Sequence, residues 1–152
     1  MKPIIVLALA VIAIAGTAVA QAPDGLAAIK ERREHMKAMG GSAQTITKFL
    51  KGEAGTVDDA QKAAATIQQH AEANLPALFV PGTAVGVGES KAKEDVWKQN
   101  AHFRETYQQL PPAARALNQA AQTGDKAQIA TAFQATGRVC QTCHESFRAP
   151  LR

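Results

Sequence analysis

Apolar residues recur at spacings of three, four and seven along most of this chain, and that rhythm restricts it to helices. From about Asp24 to Lys51 the apolar positions are Ile29, Met36, Met39, Ala43, Ile46 and Leu50. A second stripe holds Ala60, Ala64, Ile67, Ala71 and Leu75. A third segment begins near Ser90 or Ala92, with Val96, Asn100, Phe103, Tyr107 and Leu110 on a near-heptad seam. A fourth runs from Asp125 to about Arg148. No strand-like alternation of useful length occurs. Aromatic residues make up only 5% of the chain and much of its 46% hydrophobic content is alanine, which favours helices over sheets.

The punctuation agrees with this division. Asp24 is placed to cap the first segment, and Gly52 and Gly55 end it. Gly40-Gly41 lies inside that helix, where each glycine costs about 1 kcal/mol relative to alanine; close approach of another helix or a ligand would account for it. Thr56-Val57-Asp58-Asp59 has the form of a capping box. Pro76 opens a stretch of loop to Gly88, with a turn at Pro81-Gly82. Pro111-Pro112 should kink or interrupt the third helix. Gly124 ends it and Asp125 caps the fourth. Four such helices with mostly short connections predict an all-α, antiparallel four-helix bundle in a single domain, residues 21–152.

Residues 1–20 read as a leader rather than as fold. Lys2 supplies the positive start, Ile4 to Ala15 is unbroken apolar sequence, and Ala18-Val19-Ala20 fits a signal-peptidase site. The expectation is export through a cleaved signal peptide to the periplasm, with a mature form that does not span the membrane. The formal charge is +4, one less without Lys2, and the basic residues are scattered. Nothing in that pattern supports nucleic-acid binding.

The chemistry lies in Cys140-Gln141-Thr142-Cys143-His144, a c-type haem attachment pattern that contains both cysteines of the chain. On a helix, positions i, i+3 and i+4 share a face. Cys140 and Cys143 can therefore each add to a haem vinyl group while His144 takes the iron as proximal ligand. Phe147 extends that face in one direction, and Gly137, Phe133 and Ile129 in the other. A disulfide here would close too short a loop to stabilise much. A thiol–disulfide oxidoreductase wants a low-pKa thiolate at a helix N-terminus, whereas this pair lies near the end of the last helix. Structural zinc wants four ligands, and the remaining histidines are dispersed. One covalent haem c is the expected cofactor, and a large flat group would also supply apolar volume that an alanine-rich core lacks.

With these residues in view, the chain resembles the class II cytochromes c, meaning cytochrome c' and its low-spin relatives, whose haem motif is C-terminal. The matching segments are Ile29-Lys30-x-Arg32, Leu78-Phe79-x-Pro81-Gly82-Thr83, Val96-Trp97 with Phe103, and Gly137-x-x-Cys140 through Arg148. The resemblance implies that the residue four after the first-helix arginine covers the distal face of the iron. That residue is Met36, and Met36-Lys37-Ala38-Met39-Gly40 resembles the low-spin group, in which methionine is the distal ligand. Met39, on a neighbouring part of the same face, competes for that place, and His35, His70 and His102 could bind iron in principle. His35 points about 100° away from Met36 on an ideal helix, and His102, beside the core-facing Phe103, is expected at the surface. The implied function is a one-electron carrier with His/Met-ligated iron rather than an enzyme. The alternative is a five-coordinate cytochrome c' that binds nitric oxide or carbon monoxide. The resemblance further implies a propionate contact at Arg32, a place for Arg148 near the proximal face, redox partner proteins, and a homodimer through the first two helices.

Overall fold

The structure, a computed structural model, describes residues 24–150. The expected leader, residues 1–20, lies outside the described residues. Helix α1 spans Gly25–Lys51, α2 Val57–Glu72, and a short 3-10 turn covers Leu75–Leu78. The third rod of the bundle is built from three pieces, α3 (Asp95–Lys98), α4 (Asn100–Gln108) and α5 (Leu110–Gln122). Helix α6 is Lys126–Phe147. The only β pairing among the described residues is an isolated bridge between Ala92 and Arg148.

Capping residues set the ends much as the sequence predicts. The Asp24 carboxylate accepts from the Leu26 amide, and Gly52 closes α1 in the left-handed conformation, φ 72°. Thr56 and Asp59 exchange side chain-to-amide hydrogen bonds in a complete capping box. Asp125 accepts from the amides of Ala127 and Gln128. The proline pair behaves differently from a kink. Pro111 and Pro112 lie in the first turn of α5, where the missing amide would have had no helical partner in any case. The sharper break is at Gln99, φ −118° and ψ 42°. That break shifts the helical phase, so Asn100 is exposed instead of completing the predicted seam.

Helix α1 packs on α2, α2 on α5, and α5 on α6. The seam between α1 and α6 is sparse by comparison. Ile46, Ala64, Ile67, Leu75, Leu117 and Ile129 are buried in the main core. Ala92, Val96, Phe103 and Phe147 form a second cluster at the end where α6 finishes. No helix among the described residues is long and apolar enough to cross a membrane.

Candidate functional site

The sparse α1–α6 seam opens into two adjoining cavities. The outer one, about 490 Å³, is lined in part by Arg32, Arg33, Lys37, Phe79, Lys91, Phe103, Phe147 and Arg148. The inner one, about 260 Å³, is more enclosed and mostly apolar, with Met39, Gly40, Ala43, Phe133, Gly137 and Cys140 in its wall. Met36, Tyr107, Cys143 and His144 line both. The outer cavity falls within the roughly 300–1,000 Å³ common for ligand sites, and the inner one extends it between the helices.

Helix α6 presents Cys140, Cys143 and His144 to this space through its i, i+3, i+4 geometry. The end of α6 is held in place by short pairing with the preceding loop. The Lys93 amide donates to the Phe147 carbonyl at 2.9 Å, and the Ala149 amide to the Lys91 carbonyl at 2.8 Å. Both cysteines are free thiols. Burial pushes both up, Cys143 to about 11, so they stay protonated near neutral pH. That is the wrong direction for thiol–disulfide exchange and the right material for addition to a vinyl group. Burial, with a smaller contribution from the Arg148 charge, lowers the His144 pKa. Its imidazole is therefore neutral at pH 7, the form that coordinates a metal.

Opposite α6, helix α1 contributes Met36, half-buried and packed against the core, and Met39, buried in the inner wall. Among the described residues, nothing lies within 4 Å of where a Cβ at Gly40 or Gly41 would stand. A Cβ added at Gly40 or Gly137 would meet nothing within 4 Å, yet both glycines line the inner cavity. Their room faces the cavity. Two thiols, a neutral imidazole and a thioether around an apolar slot suit a covalent haem.

Arg32 does something the sequence does not reveal. It is buried, and its guanidinium donates to the Leu78 carbonyl (3.0 Å), the Thr83 hydroxyl (2.7 Å), the Thr83 carbonyl (2.6 Å) and the Ser90 hydroxyl (2.7 Å). The Phe79 ring lies under it at 4.8 Å. These contacts tie the 78–90 loop to α1. The exposed cations at the cavity mouth are instead Lys37, Lys91 and Arg148, with Arg33 paired to Glu89. Arg148 follows from its place four residues after His144, whereas Lys37 and Lys91 come from separate elements and leave no local signal in the sequence. Tyr107 shares its hydroxyl between the carbonyls of Ala71 and Ala73, both at 2.7 Å, which fixes α4 against the end of α2. Thr136, also missed in the sequence, is buried at the inner wall and donates to the Ala132 carbonyl at 2.9 Å. His102 is exposed as expected, and Arg138 is exposed as well. His35 faces His70 of α2, away from both cavities.

Comparison with known proteins follows this geometry. The family model described as Cytochrome C' matches residues 27–148. Cytochrome c' of Rhodospirillum rubrum is 36% identical over 152 residues, covering 98% of this chain and 99% of that protein. The crystal structure of cytochrome c' from Thermochromatium tepidum superposes with a TM-score of 0.80 at 28% identity, over 86% of this chain and 100% of the other. A nitric oxide complex of a leucine-to-alanine variant of the Alcaligenes xylosoxidans protein gives 0.72 at 25% identity, over 84% and 97%.

Proposed function

The chain belongs to the cytochrome c' family, a mono-haem c-type cytochrome with one covalent haem c, and we propose that it binds a diatomic ligand, nitric oxide or carbon monoxide, at the haem iron. The observation that carries this reading is the likeness to the Alcaligenes relative solved with nitric oxide; the apolar wall that Met39, Ala43 and Phe133 give the α1 side of the site suits a small neutral molecule and disfavours ions. Each residue then has a part. Cys140 and Cys143 would hold the group covalently, and His144, on α6, would hold the iron. Met36, on α1, would govern access to the site. Lys37, Lys91 and Arg148 offer charge to the propionates at the mouth. Arg32 gives four hydrogen bonds to the 78–90 loop and serves the site mainly by holding that loop. Export to the periplasm, and a homodimer through the first two helices, belong to the same proposal.

A second reading, the electron carrier with Met36 fixed on the iron, is favoured by one observation. Met36 lines both cavities together with His144, and thioether–imidazole ligation would raise the reduction potential and leave no open place for a ligand. Absorption spectra of the ferric and ferrous protein, with and without carbon monoxide, separate the two. Ligand binding predicts a five-coordinate high-spin ferrous spectrum that converts fully under carbon monoxide. A six-coordinate low-spin spectrum that carbon monoxide leaves unchanged would overturn it in favour of the carrier.

A further inference from the structure

The described histidines outside the haem motif include one close pair. His35 of α1 and His70 of α2 bring their Nδ1 atoms to 2.8 Å, with ring planes at 81°. Both rings are half-buried, neither lines the haem cavities, and the helices that carry them pack directly on each other. We propose that His35 and His70 form a second metal site, a two-nitrogen chelate for copper(II) bridging α1 and α2.

The separation makes a chelate reachable. With metal–nitrogen bonds of about 2.0 Å, two ligand nitrogens lie about 2.8 Å apart at 90° and about 3.3 Å apart at the tetrahedral angle. The metal-free pair sits at the 2.8 Å of its hydrogen bond, so small side-chain rotations bring both nitrogens onto one ion, and among divalent ions a two-imidazole site holds copper(II) most tightly. Without metal, one Nδ1 carries a proton and donates to the other. On metal binding that proton moves to Nε2 of the same ring, so both imidazoles stay neutral and no net proton is released. No group of three or more His, Cys, Asp or Glu residues suited to a metal occurs among the described residues. Water therefore completes the coordination, and the affinity is that of a two-point chelate. The bound ion would lock α1 to α2 one residue away from Met36.

The test is a calorimetric titration of the ferric holoprotein with copper(II) chloride, in which neither metal has an electron to give. One copper per chain is expected. His35→Gln and His70→Gln should each weaken binding by at least about tenfold, because either change reduces the chelate to a single nitrogen, while His102→Gln should not. The haem absorption spectrum of each variant reports an intact fold. Electron paramagnetic resonance of the wild-type copper signal, after subtraction of the ferric haem, should show coupling to two nitrogens and needs no variant. Absence of stoichiometric binding, full binding by either single variant, or coupling to no nitrogen or one would overturn the site.

Discussion

Arg32 makes no ion pair among the described residues, so its charge is balanced only by dipoles. Two carbonyls and two hydroxyls surround it, and burial lowers its pKa. Removing the guanidinium would strand those acceptors in a dry pocket. Arg32→Met should destabilise the holoprotein by roughly 2–4 kcal/mol, on the scale of hydrogen bonds to charged groups, and should loosen the 78–90 loop. Urea denaturation measures the first effect and amide exchange at Thr83 and Ala92 the second. At Met36 the expected outcome concerns access. Met36→Leu keeps the apolar volume but removes the sulfur, so carbon monoxide association with the ferrous protein should be as fast or faster. Slower association in the leucine variant, measured by stopped flow, would contradict a gating role.

At the scale of elements, α2 depends on its first turn. The Asp59 carboxylate accepts from the Thr56 amide at 2.8 Å, and those hydrogen bonds hold its pKa below the ordinary carboxylate value. The stabilisation it brings is therefore complete above about pH 4, the usual unfolded value, and fades as pH falls through the lower folded one. Thr56→Ala should cost about 1 kcal/mol. Asp59→Asn should lower the melting temperature at pH 7, and that difference should shrink towards zero in strong acid; a constant difference from pH 7 to pH 2 would contradict the capping box. The third rod shows the opposite case. Its proline pair looks disruptive in sequence, but falls where α5 begins and leaves no unmatched amide.

For the whole molecule, the sparse α1–α6 seam means that the bundle is closed by its cofactor. Cysteine-to-alanine changes at both Cys140 and Cys143 would prevent covalent attachment. The cavities would then be left to water or collapse, and ligand-linked stability would be lost. That double variant should give weaker helical circular dichroism and a broader, lower melt than the holoprotein. An equal midpoint and equal cooperativity would show that the four helices close without haem.

What the sequence determined alone was local. The periods of three and four, the caps at Asp24, Thr56 and Asp125, and the spacing of Cys140, Cys143 and His144 depend on backbone geometry within a few residues, so they can be read along the chain. The resemblance extended this to Met36. The tertiary structure decided what depends on distant segments meeting. The resemblance gives Arg32 a propionate, and the fold adds that four of its hydrogen bonds go to the 78–90 loop. Gly40-Gly41 left open whether a helix or a ligand came close, and in the structure Gly40 lines the inner cavity while Gly41 is exposed. The Gln99 break had no local signal. Lys37 and Lys91 at the mouth, and the pairing of His35 with His70, depend on how segments far apart in sequence pack, and periodicity carries no information about that.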